Sequence, residues 1–106
     1  MINIFSDQYL NDIETASENC TSRPVYTILN LCRVLYYLKE GVISSKKEGG
    51  VWGIKTLDNK YTEIVLICTE KYLNNTKNLN IENDILIEFI HYMKTEISNQ
   101  LENRVY

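Results

Sequence analysis

The stretch LCRVLYYLKEGVISSKKEGGVWGI, Leu31 to Ile54, decides how this chain folds. Its first part repeats apolar residues at helical spacing, a glycine interrupts at 41, and SSKKEGG restarts the pattern. Gly41 predicts the residue just past a helix end, because glycine takes a positive φ without a Cβ penalty. Ser45 and Glu48, three apart, predict a capping box that opens the next helix. Lys46 and Lys47 then stand out. A cation in a first helical turn opposes the macrodipole at a cost of roughly 0.3–1 kcal/mol, so their position asks for a reason.

Working outward, Pro24 fits a first helical turn, where its missing N–H costs nothing. Ser22 or Arg23 can cap that helix, and Val25, Ile28, Leu29, Cys32, Leu35 and Tyr36 form its apolar stripe. The helix opened by Ser45 carries Gly49 and Gly50 and runs to about Leu57. Two glycines inside a helix cost about 1 kcal/mol each relative to alanine, which is tolerable where another backbone or a ligand must come close. Asp58 or Asn59 caps the next helix, with Tyr61, Ile64, Val65, Ile67, Cys68, Tyr72 and Leu73 facing inward. Asn80 can cap a long last helix whose stripe is Leu86, Phe89, Ile90, Met93, Ile97 and Leu101. Upstream, Asp7 to Cys20 reads as a weaker helix with Tyr9, Leu10, Ile13 and Ala16 on one side. The expected fold is all-α, an antiparallel bundle of about five helices in one domain spanning 1–106. The later helices are expected near 24–40, 45–57, 59–74 and 81–101.

Composition narrows function only modestly. The chain has 106 residues, 44% of them hydrophobic and 24% charged, which suits one globular domain. A formal net charge of −3 argues against a nucleic-acid partner. No apolar run is long enough to span a bilayer, and MINIFSDQ lacks the features of a signal peptide. The cysteines, Cys20, Cys32 and Cys68, are odd in number and form no C-x-x-C, so they read as reduced thiols in a cytoplasmic protein, two of them buried. Their spacing, with His91, matches no metal site.

Few residues carry obvious chemistry. His91, the single histidine, falls off the main stripe of its helix and reads as structural. Trp52 reads as a core anchor with its indole N–H satisfied. Asp12, Glu14 and Glu18 read as a solvated acidic face. There is no Gly-rich phosphate loop and no Asp-x-Asp pair to hold a magnesium ion, so metal-dependent group transfer would need ligands from elsewhere. The lysines are different. The start of a helix can bind phosphate, a lysine beside it strengthens the site, and the turn through Gly41 can bring Arg33 and Lys46 to one ligand. The plain alternative is solvated lysines tethered to nearby carboxylates.

PVYTILNLCRVLYYLKEGVISSKKEGGVWGI, Pro24 to Ile54, resembles the C-terminal helical domain of the aminoglycoside nucleotidyltransferases, the streptomycin and spectinomycin adenylyltransferases. The LCR segment, Gly41, Lys46 and the GG-W-G helix carry the likeness, and KYTEIVLICTEKYL at 60–73 fits the next helix of that domain. The resemblance implies an ATP- and antibiotic-binding half whose basic residues reach the triphosphate, here Arg33 and Lys46. Catalytic carboxylates and magnesium would belong to a separate nucleotidyltransferase domain, so this chain is expected to start near the interdomain junction and to be inactive alone. In some family members acidic antibiotic contacts lie just before this helix. Here ENCTSRPVY places Asn19 and Arg23 there, which leaves Glu18 as the candidate contact for a cationic aminoglycoside. Partners implied are that catalytic domain or, through the surface it would cover, a second copy of the chain. A helical interaction module that kept the fold and lost the ligand is the competing reading. A helical nuclease would carry an arginine closely followed by histidine, and no such pair includes His91.

Overall fold

The computed structural model describes residues 24–75 and 82–102. They form four helices, α1 (Pro24–Glu40), α2 (Lys46–Thr56), α3 (Asn59–Leu73) and α4 (Asn83–Glu102). No strand occurs among the described residues, so the all-α class holds. Four helices are described rather than about five; the helix expected over Asp7 to Cys20, like the caps expected at Ser22 or Arg23 and at Asn80, lies outside these residues.

Each boundary follows from local chemistry. Gly41 has φ 71° and its N–H donates to Tyr37 O at 2.8 Å, closing α1 in the left-handed conformation. Ser45 and Glu48 form the capping box: the Glu48 N–H donates to Ser45 Oγ at 3.1 Å, and the Ser45 N–H donates to Glu48 Oε1 at 3.0 Å. Asp58 caps α3, its Oδ1 accepting from the Lys60 N–H at 3.1 Å.

Helix α1 is the axis of the bundle and packs against α2, α3 and α4. It is therefore buried on more sides than one stripe allows: Leu31, Val34 and Leu38 join the core, while Tyr36 stays half-buried. Helix α2 lies against both α1 and α3, and its glycines permit this. A Cβ on Gly49 would stand 2.7 Å from Arg33 Cγ, one on Gly50 would run into Thr69 Oγ1 and meet Leu29 Cδ2 at 3.0 Å, and one on Gly53 would meet Cys32 Sγ at 3.0 Å. The close approach expected at Gly49 and Gly50 is thus made by neighbouring helices.

Helix α4 contributes Leu86, Phe89, Ile90, Met93 and Ile97 to the core, as its periodicity predicts, and Leu101 packs partly buried against it. Its seam with α3 is aromatic. The Tyr61 ring lies 5.7 Å from Phe89 edge-on and 4.3 Å from Tyr92 in a stack. Lys60 Nζ pairs with Glu88 Oε1 at 2.6 Å beside them. On α3, Tyr61, Ile64, Val65 and Cys68 are buried as expected, but Tyr72 and Leu73 are not, with 36% and 54% exposure. They lie in the last turn of α3, where the described helices leave partly open the face that the periodicity assigned to the core.

Candidate functional site

The candidate site is the edge where the first turn of α1, the start of α2 and the last turn of α3 meet. Arg33 stands on α1 seven residues after Tyr26 and three after Asn30, an i, i+4, i+7 succession along one side of the helix. Its guanidinium is half-buried. Nε donates to Ser44 O at 2.7 Å and Nη1 donates to Asn30 Oδ1 at 3.2 Å. Those bonds use two of the five N–H donors of the fork. Arg33 therefore tethers the 41–45 connection to α1 and fixes where α2 begins.

Lys46 opens α2, and its Nζ lies 5.6 Å from the centre of the Tyr26 ring. That is within cation–π range, and it gives the wrong-signed lysine part of its compensation. Tyr26 in turn meets Tyr72 edge-on, with ring centres 6.1 Å apart at 75°. Two cations thus border one stretch of α1: Lys46 by Tyr26, and Arg33 about 10 Å further along the axis by the helical rise. An elongated anion could touch both; a compact one would meet one at a time.

The capping box changes the electrostatics of this helix start. Glu48 already serves the first turn, and its hydrogen bonds from the Ser45 backbone and hydroxyl hold its carboxyl below the usual value of 4.5. An anion arriving here gains more from the side chains of Lys46 and Arg33 than from bare N–H groups. Ser44, 5% exposed, adds a hydroxyl oxygen with no hydrogen-bond partner among the described residues.

The other singled-out residues sort cleanly. Trp52 is 7% exposed, stacks on Tyr36 at 4.9 Å and 7°, and donates its indole N–H to Glu40 Oε2. It is the satisfied core anchor that was expected. His91 is exposed on α4 and its carbonyl accepts from Thr95 Oγ1 at 3.0 Å. Cys32 and Cys68 are buried free thiols. Burial pushes Cys32 far up and Cys68 up to about 12, so neither is a thiolate near neutral pH. No group of three or more metal-ligating side chains occurs among the described residues. Glu18, Asn19, Arg23 and Cys20 lie outside them. Sequence reasoning placed Asn30 beside Arg33 but missed Tyr26, which no motif marks and which meets Lys46 only because α2 folds back on α1.

A family model described as the aminoglycoside adenylyltransferase C-terminal domain matches residues 3–96. The chain belongs to this family. It is 32% identical over 71 residues to an aminoglycoside (3'')(9) adenylyltransferase of Klebsiella pneumoniae, a match covering 67% of this chain and 27% of that protein. A Shigella flexneri protein of the same name matches with the same figures. An Escherichia coli protein of that name is 32% identical over 72 residues, again 67% of this chain and 27% of its own length. The chain thus spans about a quarter of the adenylyltransferases it matches. No solved structure matches the chain. Among the described residues no helix is long and apolar enough to cross a membrane.

Proposed function

We propose that this adenylyltransferase C-terminal domain is the half that holds ATP and an aminoglycoside against a nucleotidyltransferase domain. The observation that carries the reading is the pair of cations on one helix edge, with Lys46 at the start of α2 and Arg33 on α1 beside the same connection. Their task is to hold the triphosphate. The nucleotidyltransferase domain, in the same longer protein or in a separate one, contributes the metal ligands and the base. The family relationship and the absence of a metal-ligating group among the described residues make that division of labour the economical one.

A charge-assisted hydrogen bond contributes about 1.5–3 kcal/mol net when well formed. Two of them give this domain alone an affinity for ATP on the order of millimolar, and no adenylyl transfer. The test is a nuclear magnetic resonance titration with ATP that follows the amides of Ser45 to Glu48. They shift in the wild type and respond at least several-fold more weakly in Lys46→Ala. No shift at any concentration would end the phosphate reading. Lys46 is the better variant to judge by, because Arg33→Ala also unties Ser44.

A second reading, an interaction module, is favoured by Leu66, Leu73, Ile85 and Ile87, which are large, apolar and exposed. Either a catalytic domain or a second copy of this chain would cover them. Light scattering separates these: a concentration-dependent dimer supports the second copy, and a strict monomer removes it.

A further inference from the structure

The outer surface of α2 and α3, on the side away from α1, takes no part in the candidate site. Gly49 of α2 stands against Arg33 of α1, and Gly50 against Thr69 of α3. The side of α2 turned away from α1 therefore carries Lys47, Val51 and Lys55, each four residues apart. On α3, Val65 and Thr69 stand against α2, and the side beyond them carries Glu63, Leu66, Glu70 and Leu73. The four charged residues are exposed, and so are Val51, Leu66 and Leu73. One row is basic around a valine and the other is acidic around two leucines. No ion pair joins the rows within the chain among the described residues. The glycine contacts also fix the register. The two helices run antiparallel, with Gly50 level with Thr69 and Gly53 level with Val65. Counting along that ladder, Lys55 is level with Glu63, Val51 with the turn from Leu66 to Glu70, and Lys47 with the turn from Glu70 to Leu73.

We infer that this surface is a self-docking face whose occupant is a second copy of the chain, an inference that rests on the interaction-module reading above and not on phosphate binding. A two-fold axis lying in the interface and parallel to the helices turns α2 of each copy onto α3 of the other without changing the level along the axis. Lys55 then meets Glu63 of the second copy, Lys47 meets its Glu70, and Val51 packs between its Leu66 and Leu73. Each contact forms twice, as an isologous interface requires. A foreign partner of one charge sign would match one row and be repelled by the other, so the alternation fits a copy of the same face best. The face is small. Helices of 11 and 15 residues are about 16 and 22 Å long and side by side about 20 Å wide. The footprint is thus on the order of 400 Å², against about 800 Å² per partner in a stable complex. The dimer is accordingly weak, with a Kd on the order of 100 μM.

The test is sedimentation equilibrium of the 106-residue chain from about 10 μM to about 1 mM, a range that brackets this Kd. In the wild type the average mass rises with concentration from 12.4 kDa toward twice that value. Leu66→Glu abolishes the rise, while Ile85→Glu, an equally drastic change at an exposed site on α4, leaves it unchanged. Lys55→Glu and Glu63→Lys, each alone, weaken association roughly five- to tenfold, because each sets two like-charge pairs across the interface. Mixing those two variants restores association, since each copy then supplies the charge the other needs, and so does combining both changes in one chain. Circular dichroism checks that every variant folds, and the charge variants keep the test open if Leu66→Glu does not. A wild type that stays monomeric throughout overturns the face and the second-copy reading together. A dimer that survives a folded Leu66→Glu, a dimer that Ile85→Glu abolishes, or a mixture of the charge variants that associates no better than either alone overturns this face and leaves the second-copy reading standing.

Discussion

At the residue scale, Gly50 shows how little freedom the packing leaves. Alanine is the better helix former by about 1 kcal/mol, yet its Cβ would run into Thr69 Oγ1 and press on Leu29 Cδ2. Overpacking of this kind costs about 1–3 kcal/mol, so Gly50→Ala lowers the midpoint of thermal unfolding, by about 4–8 °C for each kcal/mol lost. Adding Thr69→Ala, which removes the hydroxyl in the way, recovers part of the loss. A Gly50→Ala protein as stable as wild type would contradict the tight α2–α3 contact. Trp52 gives a second readout. Buried and stacked on Tyr36, it emits at short wavelength in the folded state and shifts to the red in urea; an emission maximum that urea does not move contradicts its burial. The sequence identified both residues as special, but not what they touch.

At the scale of elements, the start of α2 joins stability to the site. Ser45→Ala removes the cap, at about 0.5–2 kcal/mol, and loosens the turn that presents Lys46. The box also has a pH signature. Glu48 is held below its ordinary value of 4.5 in the folded chain, first by the bond from the Ser45 backbone and then by the Ser45 hydroxyl. A depressed carboxyl contributes stability at pH above its unfolded value and loses it as pH falls through its folded value. Urea midpoints measured from pH 6 downward, a range chosen to cross the usual carboxylate values, should therefore fall in acid less steeply in Glu48→Gln than in wild type. Identical slopes would show that the box does not form. This cap was legible as S-x-x-E, since both partners lie in one turn. The tether from Arg33 to Ser44 was not, because its ends are eleven residues apart and meet only once α2 has docked.

For the whole molecule, α1 is the element that every other described helix uses. Leu35 on α1 and Phe89 on α4 are both fully buried in the shared core. Phe89→Ala should cost about 3–5 kcal/mol, a large part of what a domain this small can have. Because one core serves all four described helices, far-ultraviolet circular dichroism and Trp52 fluorescence should give coincident unfolding curves. Cys32 and Cys68, buried with raised thiol values, should be alkylated only as fast as the domain opens, read peptide by peptide in a mass spectrometer. Labelling of either in the folded state at the rate of a free thiol would show that the α1–α3 contact opens locally.

What the sequence determined by itself is local: helix ends at Gly41, Ser45 and Asp58, the stripe of α4, and the family likeness carried by Pro24 to Ile54. Each depends on residues within a turn or two of one another, so backbone geometry and side-chain period are enough. What only the tertiary structure decided is what covers each face. Periodicity gave α1 one stripe and it is buried further round, because three helices pack on it; it put Tyr72 and Leu73 inside, and both stand exposed at the last turn of α3. The candidate site belongs to this second kind. Tyr26, Lys46 and Tyr72 come from three helices, and no spacing along the chain encodes an edge that forms when α2 folds back between α1 and α3.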